Sequence, residues 1–68
     1  MSKYKLGDLR RAAGLSQQDL SIKSGVKIVT IQKLESGAND LMGAKVGTVL
    51  ALARALETTV EELVKERE

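Results

Sequence analysis

The sequence predicts an all-α protein built from five short helices. Three observations support this prediction: aliphatic residues recur at helical spacing, glycines stand where those patterns end, and proline is absent. Tyr4 is the only aromatic residue, so leucine, isoleucine, valine and alanine have to build the core. At 68 residues the chain is close to the smallest size that folds alone, and we expect one domain over residues 1–68.

The first helix is expected over about residues 5–13. Leu6, Leu9 and Ala13 lie on one of its faces, and Gly14 stands where a glycine commonly ends a helix. We expect this apolar face to contribute to the core.

The second helix is expected to begin after Ser16, because Ser16 and Asp19 have the spacing of an N-terminal capping box. It carries Leu20 and Ile22. It ends at Gly25, where a positive φ would allow the chain to bend sharply.

The third helix completes a helix-turn-helix pattern. It is expected over residues 28–36 and ends before Gly37. Such a bend leaves one face of the third helix projecting outward, and in DNA-binding proteins that face enters the major groove, whose width of about 12 Å matches a helix with its side chains. Four apolar residues are spaced to close a small core around the bend: Leu20, Val26, Ile31 and Leu34.

The fourth helix has two candidate starting points. Asn39 or Asp40 can cap a helix that starts at Leu41. Gly43 and Gly47 in the first half of that helix would each lower its stability by up to about 1 kcal/mol relative to alanine. This favours a later start near Lys45. The apolar residues in helical register are Met42, Val46, Val49, Leu50, Ala53 and Leu56.

The fifth helix has the clearest N-terminal signal, because Thr59 and Glu62 have the spacing of a capping box. Val60 and Val64 accompany Leu63 there, which is more apolar surface than a short terminal helix needs for its own packing. We therefore expect a dimer formed on DNA to use the C-terminal half.

The net charge of +2 conceals a division between the two halves of the chain. Residues 1–34 carry seven basic and two acidic side chains, whereas residues 35–68 carry four basic and seven acidic ones. The half that holds the helix-turn-helix pattern is thus at +5 and the other half at −3. A polyanion such as DNA would be attracted to the first half and repelled by the second.

The composition makes several other functions unexpected. Cysteine and histidine are absent, which removes two usual zinc ligands and the commonest general base. No glycine-rich phosphate loop is present either, so we expect neither a cofactor nor an enzyme. No apolar run approaches 18 residues and no signal-peptide pattern opens the chain, so we expect a soluble, cytoplasmic protein outside the membrane.

The chain contains the segments LRRAAGLSQQDLSIKSGV, IQKLESG and VLALARALETTVEELV. Together they resemble the phage-repressor and Cro type of helix-turn-helix domain over about 60 residues. The resemblance implies a five-helix, repressor-like DNA-binding fold. It also implies that Gln17, which opens the second helix, contacts a DNA phosphate. Arg10 and Glu35 match a structural pair that fixes the third helix against the first.

The resemblance places base-reading positions at the start of the third helix and one turn later. Two interpretations of the apolar residues Ile28 and Val29 remain open. In the first, they contact thymine methyl groups. In the second, they form a protein-binding surface or pack under residues 41–42. We favour contact with DNA. The matching residues are Lys27, Ile28, Val29, Gln32 and Lys33, and the same helix adds Thr30 and Ser36 as candidates for DNA contact.

The segment after Gly37 departs from the family pattern, because no basic residue follows until Lys45. The phosphate contacts of the family's basic loop therefore do not transfer, which predicts a shallower salt dependence. The expected function is a sequence-specific transcriptional regulator, in its simplest form a repressor, acting as a homodimer on a palindromic operator in double-stranded DNA. The alternative is an adaptor or antitoxin-type module of the same fold that binds a protein partner.

Overall fold

The computed structural model describes residues 3–66, and these form five α-helices and one 3₁₀ turn. Within this range there is no β-strand, although Tyr4 and Glu66 form an isolated antiparallel bridge. The predicted all-α architecture with five helices is confirmed. The elements are α1 (Leu6–Ala12), α2 (Gln17–Ser24), α3 (Ile28–Ser36), the 3₁₀ turn (Leu41–Gly43), α4 (Val46–Ala55) and α5 (Val60–Leu63).

The core forms where α2 packs against both α3 and α4, with α1 on α3 and α5 on α4. Three of the four residues predicted to close the helix-turn-helix core are buried, and Val26 packs against them partly buried. Tyr4 is also buried in this core, although the sequence predicted a core of aliphatic residues. The buried apolar residues are Tyr4, Leu6, Leu20, Ile31, Leu34, Leu41, Val49, Leu52, Ala53, Ala55 and Leu63.

The predicted helix from Leu41 is wrong, and the later start is correct. Asp40 caps only the 3₁₀ turn, through a 3.0 Å hydrogen bond that its Oδ1 accepts from the Met42 N–H. The backbone is then extended at residues 44–45, and α4 begins at Val46 with Lys45 as its N-cap. The two glycines and the intervening extended residues prevent one continuous helix.

The register proposed for the fourth helix was therefore partly wrong. Met42 and Val46 are 63% and 74% exposed, and Leu50 is exposed as well. Val49 and Ala53 are buried as predicted. In α4 the 49–52–53–56 side faces the core and the 46–50 side faces outward, and the packing of α4 against α2 and α5 sets this orientation.

Two further apolar expectations need correction, and the apolar Ile22 of α2 is exposed. Ile22 is 76% exposed, because Leu20 already occupies the buried side of α2. Ala13 lies beyond the end of α1 and is exposed. Val60 and Val64 are half-buried against the core, so part of their apolar surface docks the C-terminal helix. The use of the C-terminal half in a dimer stays a prediction.

The predicted N-terminal caps of α2 and α5 are present, but only α2 has the complete capping box. Ser16 Oγ accepts from the Asp19 N–H at 2.9 Å, and the Asp19 carboxylate accepts from the Ser16 N–H at 3.0 Å, which completes the capping box. These bonds, from the Ser16 backbone first and its hydroxyl second, hold the pKa of Asp19 below its ordinary value of 3.8. At α5, Thr59 Oγ1 accepts from the Glu62 N–H at 3.1 Å.

Candidate nucleic-acid interface

The turn between α2 and α3 is held by side-chain hydrogen bonds as well as by its glycine. Gly25 adopts a φ of 76°, and its N–H donates to the Ser21 carbonyl at 2.9 Å. The Ser21 hydroxyl donates to the Val26 carbonyl at 2.6 Å, and the Val26 N–H donates to Ser24 Oγ at 3.1 Å. Two serines thus satisfy backbone groups that the bend would leave unpaired, and this fixes the angle between the two helices.

Helix α3 has a buried side and an opposite exposed side. Ile31 and Leu34 are fully buried, three residues apart. At about 100° per residue, the exposed positions 29, 32, 33 and 36 fall within an arc of roughly 100° on the other side. The exposed side chains on this arc are Val29, Gln32, Lys33 and Ser36, and we call them the α3 outer face.

The remaining predicted positions on α3 lie outside this arc. Lys27 is the exposed N-cap residue, and Ile28 and Thr30 are half-buried at the two borders. Ser36 lies on the outer face, but its hydroxyl donates to the Lys33 carbonyl and accepts from the Ala38 N–H. Ser36 therefore stabilises the end of the helix, and Val29, Gln32 and Lys33 are the outer-face side chains left to contact a partner.

Arg10 and Glu35 form a nearly buried ion pair that joins α1 to α3, as the family resemblance implied. Arg10 Nε donates to Glu35 Oε2 at 2.8 Å and its Nη2 donates to Oε1 at 3.0 Å. The two side chains are 11% and 10% exposed. The hydrogen bonds to Glu35 raise the pKa of Arg10 further above its already high value. A third bond, from Arg10 Nη1 to the Leu15 carbonyl at 2.8 Å, fixes the chain entering α2.

Gln17 is the first residue of α2, and its amide contacts this ion pair. Its Nε2 donates to Glu35 Oε1 at 3.2 Å. The family resemblance implied a phosphate contact for Gln17 and, separately, a structural role for the Arg10–Glu35 pair in fixing the third helix against the first. The structure joins them in one network.

A groove of about 740 Å³ runs beside the start of α3. The helix-turn-helix bend forms one wall, and the 3₁₀ turn with the first turns of α4 forms the other. Lys27 and Thr30 line it from the first wall, and Lys45 and Thr48 from the second. Sequence reasoning singled out the first two residues but did not select Lys45 or Thr48, because nothing in the local pattern brings α4 beside α3.

The fold and the outward helix define a helix-turn-helix domain, the class of domain that indicates a DNA-binding regulator. The family model described as a helix-turn-helix domain matches residues 5–65, and the chain belongs to this family. The match agrees with a domain of the Cro and repressor kind, a kind that is typically non-enzymatic. Searches of curated proteins and of solved structures gave no significant match.

Two other observations concern the described residues 3–66. None of their helices has the length and apolar character needed to cross a membrane. The same residues contain no group of three or more side chains suited to hold a metal ion.

Proposed function

We propose that this chain is a sequence-specific transcriptional regulator that inserts α3 into the DNA major groove. The observation that carries the proposal is the outward presentation of Val29, Gln32 and Lys33 on a helix anchored by its buried face and by the Arg10–Glu35 pair. A helix that presents side chains to base edges has to be held in a fixed position on its domain, and these contacts hold α3.

The three outer-face side chains have complementary chemistry for base edges. Val29, at 54% exposed, offers methyl groups that can contact the methyl group of thymine. Gln32 can pair with adenine through two hydrogen bonds, and Lys33 can donate to the acceptors of guanine. Half-buried Ile28 offers less surface, and its thymine contact remains a prediction.

We further propose that the regulator acts as a homodimer on a palindromic operator, and that it represses by occupying that site. One α3 helix reads only a few base pairs, and each good bidentate contact contributes about 1–3 kcal/mol of discrimination. Two copies on half-sites about 34 Å apart supply the specificity that one copy lacks. A transcriptional regulator acts in the compartment that holds the DNA. We therefore propose a cytoplasmic location.

A second candidate function is an adaptor that binds a protein partner. It is favoured by the exposed apolar side chains Val46 and Leu50, which lie one turn apart on α4, together with exposed Met42. Exposed apolar groups close together often mark a surface for a partner. Such an adaptor would need no DNA affinity.

Selection from random duplex DNA separates the two functions. The purified chain is incubated with a library of random duplexes at physiological salt, and the bound fraction is sequenced. A regulator enriches a palindrome with half-sites about one helical turn apart. Failure to enrich any sequence would reject the regulator function. If enrichment disappears in the double variant Gln32→Ala, Lys33→Ala but survives in the control Ile22→Ala, the recognition of base sequence belongs to α3.

A further inference from the structure

We propose that Glu35 is a positioning residue for DNA binding, because its carboxylate orients the amide of Gln17 at the start of α2. This inference rests on the proposed function, in which Gln17 contacts a DNA phosphate. It assigns to the buried ion pair a role in binding that is separate from its role in holding α1 to α3.

The geometry at Glu35 Oε1 carries this inference. That oxygen accepts from Arg10 Nη2 at 3.0 Å and from Gln17 Nε2 at 3.2 Å. A glutamine amide can present either its oxygen or its nitrogen to a neighbour, but a carboxylate only accepts hydrogen bonds. Glu35 therefore selects the rotamer in which the nitrogen of Gln17 faces it.

The selected orientation has a consequence for phosphate binding. The Gln17 nitrogen carries two hydrogens; Glu35 Oε1 accepts one of them, and the second is the hydrogen that the proposal assigns to a phosphate oxygen. A phosphate oxygen only accepts hydrogen bonds, so it needs the nitrogen and would be repelled by the amide oxygen. The position of Gln17 as the first residue of α2 adds the favourable end of the helix dipole.

Arg10 prevents the Glu35 carboxylate from opposing this contact. An isolated carboxylate behind Gln17 would repel the phosphate backbone. The guanidinium of Arg10 binds both carboxylate oxygens, at 2.8 and 3.0 Å, and neutralises the charge within the pair. Glu35 thus supplies an acceptor for Gln17 without a net negative charge at the DNA surface.

A double-mutant cycle measured on DNA tests the inference. Arg10→Met with Glu35→Leu removes the acceptor without leaving a buried charge unpaired, and such apolar replacements commonly preserve folding. Gln17→Ala is then made in this apolar background and in the parent chain. Binding to a random-sequence duplex of about 20 base pairs is measured by fluorescence anisotropy at fixed low salt. Circular dichroism reports the folded fraction of each variant.

We expect Gln17→Ala to weaken binding about fivefold in the parent chain and less than about twofold in the apolar background. An equal loss in both backgrounds, or no loss in the parent, would overturn the positioning role while leaving DNA binding established. A parent chain that bound no duplex would instead reject the proposed function and this inference with it. Gln18→Ala is the matched control, because Gln18 is the exposed neighbour of Gln17.

A spectroscopic readout covers the case in which the apolar background folds poorly. In the parent chain, the side-chain amide protons of Gln17 should exchange with solvent more slowly than those of exposed Gln18 and Gln32. Equal exchange rates for all three glutamines in the folded parent would overturn the inference.

Discussion

Gly7 of α1 lies directly against Glu35 of α3. A Cβ atom built on Gly7 would stand 3.2 Å from Glu35 Oε1 and 3.2 Å from Arg11 Nη1. Gly7 is buried within a helix, where glycine costs up to about 1 kcal/mol relative to alanine. The absence of a side chain there is what allows the Glu35 carboxylate to lie close against α1.

We expect Gly7→Ala to destabilise the domain by about 1 kcal/mol, despite the better helix propensity of alanine. The Arg11 side chain can move away, but Glu35 Oε1 is held by Arg10 and Gln17. Urea unfolding followed by circular dichroism measures the change. Gly47→Ala is the control, because a Cβ at that helical position meets nothing within 4 Å, and it should stabilise by about 0.5 kcal/mol. Equal stabilisation by both substitutions would contradict the close approach.

Gly25→Val is expected to destabilise the domain by at least about 1 kcal/mol. The space around a Cβ at Gly25 is open, so the cost comes from the φ of 76°, which a β-branched residue adopts only with strain. Thermal unfolding measures the shift, and Gly25→Asn should cost less because asparagine tolerates this conformation. An unchanged melting temperature for the valine variant would argue against the left-handed turn.

The stabilisation that ionised Asp19 gives to the domain should be lost in acid. Its pKa is lowered below 3.8 in the folded state by the Ser16 backbone first and by the Ser16 hydroxyl second. The stabilisation is therefore fully present above pH of about 4, and it is lost as the pH falls through the lowered folded-state pKa. Denaturant midpoints measured between pH about 2 and 6 should fall more steeply for the parent than for Asp19→Asn. Parallel curves for the two proteins would exclude this contribution.

Val29→Ala should weaken binding to the selected operator by about 1 kcal/mol, through lost contact with a thymine methyl group. On a duplex in which uracil replaces the facing thymine, the same substitution should cost close to nothing. Lys33→Ala is the matched comparison on the same face, and it should lose affinity equally on both duplexes. If Val29→Ala left binding to both duplexes unchanged, the apolar part of the outer face would belong to a protein partner instead.

Local signals in the sequence were sufficient to predict most of the helix boundaries. The bounds of α3 agree with residues 28–36, and the caps at Ser16 and Thr59 are where the capping boxes predicted them. These features depend on residues within one or two turns of each other. Hydrogen bonds between a cap and its own helix need no information about the rest of the fold.

The orientation of α4 and the contact between Gln17 and Glu35 were decided by tertiary structure alone. Met42 and Leu41 are adjacent and both apolar, yet Leu41 is buried and Met42 is exposed because of how the 3₁₀ turn meets the core. Gln17 and Glu35 are 18 residues apart, and no periodicity links them. Local hydrogen bonds and backbone propensities set where each helix begins and ends, whereas the packing of helices distant in sequence sets which side chains meet.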